Sequence, residues 1–133
     1  MRPALAVPVL LAACLVASAA YAQNDKITAS FQSLAASGVT GDVSINPMPD
    51  GQLQFRSNVK GLIPNTDYSV VVFDQNATCG EGTNSVQVVT FRSNPAGNGN
   101  FNEKVALGIS SVQSIGIRQD PLNTLVACAT VPQ

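Results

Sequence analysis

Histidine carries most general-base and transition-metal chemistry, and this 133-residue chain has none. A serine nucleophile activated by imidazole is therefore excluded. The side chains that could still do chemistry are few. Asp67, Asp74, Glu81 and Asp120 are acidic residues flanking one apolar stretch and a late turn. Gathered at one end of a fold, they would offer oxygen ligands to a hard cation such as calcium. Their spacing matches no calcium loop, so a solvated acidic rim is the expectation. Hydrolysis by paired carboxylates would need two of them about 5–10 Å apart beside a groove, and no pattern here specifies a groove. Asn76-Ala77-Thr78 is an N-glycosylation sequon in an expected loop.

Cysteine is the other informative type. The chain opens with Arg2, an apolar run from Ala4 to Val16, and Ala20-Tyr21-Ala22. That pattern is a secretory signal peptide, residues 1–22, with cleavage after Ala22. The run is too short to span a bilayer core of about 30 Å. A competing reading takes Leu11-Ala12-Ala13-Cys14 as a lipobox with a lipid anchor on Cys14; the residues after Cys14 stay apolar, which disfavours it. Once Cys14 leaves with the leader, Cys79 and Cys128 remain. Two cysteines in an exported chain are expected to form one disulfide; a pair of free thiols is the alternative.

Residues 23–133 have the length of one domain, large enough to fold without a metal. Seven basic and eight acidic residues give a net charge of −1, with no basic run. Nucleic acid and anionic membrane surfaces are not expected partners. There is no Trp, and the five Phe and two Tyr are dispersed, so no stacking platform for bases or sugars is foreseen.

The pattern that must position these residues is a series of short strands. Turn residues recur every 8–12 positions and no segment has a helical period. Ile27, Ala29 and Phe31 alternate with Thr28, Ser30 and Gln32; Val39, Gly41, Val43 and Ile45 form the next inward set; Leu53, Phe55 and Val59 the third. Pro47 to Gly51 is a turn, with Pro49 setting φ and Gly51 supplying φ > 0. Tyr68 to Asp74 is apolar on both faces and reads as a central strand. Val86–Arg92, Phe101–Leu107, Val112–Arg118 and Leu125–Val131 complete a set of about eight. The expectation is an all-β, eight-stranded antiparallel Greek-key sandwich or barrel.

The order of pieces resembles the copper/zinc superoxide dismutases over nearly all of residues 23–133. Ser37-Gly38-Val39-Thr40-Gly41-Asp42-Val43 is similar to that family's opening hairpin, and Val59-Lys60-Gly61-Leu62 to its "v-x-G-L" strand end. Gly61 to Asp74 is similar, without a gap, to "G-L-…-G-F-H-V-H-E". Leu125-Val126-Ala127-Cys128-Ala129 resembles the closing "R-L-A-C-G". The resemblance implies a Cys79–Cys128 bridge, and homodimers through an exposed apolar strand. It also implies copper ligands at Val70 and Val72, another near Arg118, and an anion-guiding arginine at Leu125. None of those four residues is the family's own. Valine has no lone pair for copper, and the remaining oxygen donors suit hard ions instead. Val70 and Val72 read as core filler, and Arg118 as a partner for Asp74 or Asp120 or an anion-binding remnant.

The expected function is a secreted, non-catalytic binding or structural module of superoxide dismutase-like fold without cofactor, copper or zinc. An enzyme or binding protein of altered metal chemistry, using Asp and backbone ligands, is one alternative. An immunoglobulin-like or transthyretin-like adhesion module is the other. Fold resemblance alone names no ligand or partner.

Overall fold

A computed structural model describes residues 26–79 and 85–132. The expected leader, residues 1–22, with Cys14, and Glu81 lie outside the described residues. Eight strands follow in order: β1 (Ile27–Ser33), β2 (Thr40–Pro47), β3 (Leu53–Lys60), β4 (Asp67–Phe73), β5 (Ser85–Arg92), β6 (Gly99–Val105), β7 (Ser114–Gln119) and β8 (Thr124–Thr130). A 3-10 turn, Ile109–Ser111, precedes β7 and delays its start. All pairings are antiparallel, in the order β5-β4-β7-β8-β1-β2-β3-β6. β1 turns the corner: Ile27 to Phe31 pair with β2, whereas Gln32 and Ser33 pair with β8. The result is a nearly closed barrel made from two four-stranded layers. Among the described residues no helix is long and apolar enough to cross a membrane.

Alternation explains the two halves differently. In β2 and β3 it is clean: Val43, Ile45, Leu53, Phe55 and Val59 are buried, and Thr40, Asp42, Arg56, Asn58 and Lys60 are exposed. One face of that layer packs on the core and the other faces water. β4 lies between β5 and β7 and is buried from Tyr68 to Phe73 on both faces. No ladder joins β5 to β6. A ring contact closes that seam instead: Phe91 of β5 lies 5.7 Å, ring to ring, from Phe101 of β6, and is backed by its register partner Tyr68 on β4.

The turns use the expected chemistry. Gly51 has φ +87, and the Gln52 amide donates to Asp50 Oδ1 at 3.0 Å. Gly61 is more constrained. Its φ is +79, and a Cβ there would lie 2.2 Å from the Gly38 carbonyl oxygen. Both the dihedral and the backbone contact exclude a side chain. Gly61→Ala should therefore destabilise the fold by about 2–3 kcal/mol, read by urea unfolding. A loss below about 0.5 kcal/mol would show that the turn can move aside.

Candidate functional site

The site to examine is β4, its neighbour β7, and the loop that follows β4. Both faces of β4 are apolar, so its register decides what each residue does. Tyr68, Val70 and Val72 point into the main core with Ile115 and Ile117 of β7. Val71 and Phe73 point the other way, into a second cluster with Cys79, Cys128, Leu34 and Leu125.

That second cluster lies on the outside of the barrel, roofed by the loop. Cys79 and Cys128 are bonded, with S–S 2.08 Å and Cα–Cα 6.0 Å, inside the usual range for a disulfide. Gly116 makes the floor. A Cβ at Gly116 would be 2.7 Å from Leu125 Cδ2, 3.0 Å from Phe73 Cε2 and 3.4 Å from Cys79 Sγ. The loop is pinned from below by hydroxyls. Ser114 Oγ donates to the Asn76 carbonyl and accepts from the Cys79 amide at 3.0 Å. Thr130 Oγ1 donates to the Ala77 carbonyl at 2.6 Å. Asn76 Oδ1 accepts from both the amide and the hydroxyl of Thr78, each at 2.7 Å, so the sequon closes on itself.

Ser114 is fully buried and serves two backbone groups, so Ser114→Ala leaves both without it. A cost of about 1–3 kcal/mol is expected, together with faster reduction of the nearby disulfide under mild dithiol. An unchanged reduction rate would mean that the loop is held by Thr130 and the disulfide alone.

The residues singled out from the sequence do not converge. Val70 pairs with Ile117 and Val72 with Ile115, whereas Arg118 pairs with Ser69. Val70 and Val72 face inward; Arg118 faces outward, with its Cζ 5.9 Å from the centre of the Phe73 ring. The degenerate metal-site positions Val70 and Val72 thus lie on the opposite side of the sheet from Arg118. The reason is the period of two along a strand: neighbouring register positions occupy opposite faces. Arg118 also takes a different partner from the expected one. Among the described residues the one ion pair is Arg92 with Asp67, at 3.0 Å between two well-exposed side chains, which contributes little. Leu125 sits half-buried against the disulfide.

The acidic residues divide as well. Asp67 and Asp120 are neighbours: the Asp120 amide donates to the Asp67 carbonyl at 3.0 Å, and Ser69 Oγ donates to Asp120 Oδ2 at 2.6 Å. Asp74 lies beyond the opposite end of β4, roughly 20 Å away along an extended strand. Its Oδ1 is buried and makes no hydrogen bond among the described residues. No group of three or more His, Cys, Asp or Glu could hold a metal among the described residues. Sequence reasoning did not single out Phe73, Gly116 or Ser114. Only the strand-and-loop geometry brings them to the disulfide, since Phe73 sits in an apolar run with no distinguishing neighbour.

No protein-family model matches the sequence, and no curated protein matches it. Solved structures do: 82 chains match. One is a point mutant of Candida albicans superoxide dismutase 5, at TM-score 0.57 and 15% sequence identity. That match covers 81% of this chain and 90% of the other. At such identity the likeness speaks for the fold alone: the chain has a superoxide dismutase-like all-β barrel.

Proposed function

We propose that the chain is an exported, non-catalytic module that keeps the shape of a superoxide dismutase and binds neither copper nor zinc. One observation carries this reading. The strand that resembles the family's histidine-bearing segment presents Tyr68, Val70 and Val72 on one face and Ser69, Val71 and Phe73 on the other. Neither face supplies a nitrogen or thiolate donor. No histidine elsewhere can replace them, and Cys79 and Cys128 are bonded to each other. A copper that cycles between oxidation states needs imidazole or thiolate ligands. The donor set does not fit it. Export is supported by the leader-like first 22 residues and by the disulfide.

The test is direct. The purified protein is incubated with copper and zinc salts and dialysed. Metal content is then measured together with superoxide dismutation. Copper and zinc at the level of a metal-free control, and dismutation at the buffer rate, are expected. Stoichiometric copper with accelerated dismutation would overturn the reading.

A further inference from the structure

The outer face of the β1–β2–β3–β6 layer gathers charge that the sequence disperses. Lys26 enters β1, Arg56 and Lys60 lie on β3, and Lys104 on β6. The register places Arg56, Lys60 and Lys104 on the water-facing side, and Lys26 lines a concavity there with Thr28 and Arg56. Thr28 pairs with Ser44, Ser44 with Arg56, and Arg56 with Asn102; Thr40 pairs with Lys60, and Gln54 with Lys104. The remaining basic residues of the described chain, Arg92 and Arg118, belong to the other layer. Among the described residues Asp42 is the one acid on this face, and it accepts a hydrogen bond from Ser30 Oγ at 2.9 Å. None of the four cations has a carboxylate within ion-pair distance among the described residues.

Between the cations lie amides. Asn58 and Asn100 face each other across β3 and β6. Their side chains are exposed and make no hydrogen bond to other described residues. A concavity of about 730 Å³ is lined by Asn58, Asn100, Lys60 and Thr40. A second, of about 520 Å³, is lined by Lys26, Arg56 and Asn102. The two share Asp42, Asn58 and Asn100, so they form one continuous groove. Each has the size of a small-ligand cleft, and an elongated ligand would run through both.

From this we infer that the outer face of β1–β2–β3–β6 binds an acidic polysaccharide. Its carboxylate or sulfate groups sit on Lys26, Arg56 and Lys60 along the groove, with Lys104 one same-face step from Arg56. Its hydroxyls sit on Asn58 and Asn100, because an amide both donates and accepts, as a sugar hydroxyl requires. Charge complementarity selects a polyanion. The chemistry of the face selects among polyanions. The aromatic residues that line it, Phe31 and Phe101, are buried and offer no ring on which a base could stack, and the large exposed apolar residues Ile63, Val86 and Leu122 all lie elsewhere, so nothing described here inserts into a membrane. The inference gives the non-catalytic module proposed above a binding role and a ligand class, and rests on that reading.

The experiment uses the full exported chain at about 0.15 M salt, where weak long-range attraction is screened. Binding is measured to polygalacturonate, heparin, dextran, a DNA duplex and phosphatidylserine vesicles. Binding to polygalacturonate or heparin is expected, and the preferred one identifies carboxylate or sulfate as the recognised group. Dextran, DNA and vesicles should bind at least about tenfold more weakly. Arg56→Ala with Lys60→Ala should weaken polysaccharide binding about tenfold or more. Asn58→Ala with Asn100→Ala, which leaves the charge unchanged, should weaken it several-fold. Arg92→Ala with Arg118→Ala, the same charge change on the other layer, should bind as the parent does. Absence of binding to both acidic polysaccharides would overturn the inference. Equal binding to DNA or vesicles, equal loss in the two arginine-containing pairs, or no effect of the asparagine pair would do the same. Metal content measured on the same sample keeps the two readings separable, since a metal-free protein that ignores the polysaccharides sinks only the second.

Discussion

Removing the Cys79–Cys128 bridge should lower stability by about 4 kcal/mol and the melting temperature by about 15 °C. The magnitude follows from the loop it closes. The two cysteines are separated by 49 positions, and a cross-link over that distance withdraws a large part of the unfolded chain's freedom. Packing adds to the effect. Both cysteines are buried in the small cluster with Val71, Phe73, Leu34 and Leu125, which has few other members to hold it together. The cross-link also joins the loop after β4 to β8, a strand paired with both β7 and β1. Calorimetry on the oxidised protein and on a Cys79→Ala/Cys128→Ala variant reads the difference. A shift under about 4 °C would show that hydroxyl contacts from Ser114 and Thr130 hold the loop without the sulfur bond.

The second large effect concerns β4. Restoring histidine at the positions suggested by sequence order, Val70→His with Val72→His, should unfold the protein and create no copper site. Val70 and Val72 are 0% and 1% exposed, packed against Ile115 and Ile117. Each imidazole would overfill a closed core, costing about 1–3 kcal/mol. Each would also bury a polar ring without a partner, at about 1–3 kcal/mol more. Two such changes approach the whole stability of a domain this size. Circular dichroism should show loss of the sheet signal, and copper added to the variant should not restore it. A folded variant with stoichiometric copper would mean that β4 can shift its register by one residue and turn these side chains outward.

The layers were legible in the sequence to very different degrees. In β2 and β3 an apolar side chain alternates with a polar one, and the turn between them carries Pro49, Asp50 and Gly51 in the places their backbone preferences require. Strand boundaries and inward faces followed from that alternation alone. β4 has no such contrast. Val70, Val71, Val72 and Phe73 are chemically alike, so periodicity shows that both faces are covered but not which face meets the main core. The irregularity opposite β5, between Val70 and Val71, adds to the ambiguity. The cationic groove was hidden for another reason. Lys26, Arg56, Lys60 and Lys104 come from three strands distant in the chain, and only antiparallel register brings them to one side. A search for local basic runs has no access to that arrangement.

The unpaired seam between β5 and β6 has a consequence of its own. Interlocked rings hold it shut without a row of main-chain bonds, so it behaves as a zipper fastened only near one end. Thermal breathing should start there, because separating the Phe91–Phe101 contact is easier than stripping a ladder. Once parted, Val86 to Val89 bare their peptide groups in a run without proline or charge, the composition most receptive to another extended chain. The same opening that lets the barrel accommodate an imperfect closure is thus the place where crowding or heat would turn single molecules into stacked ones.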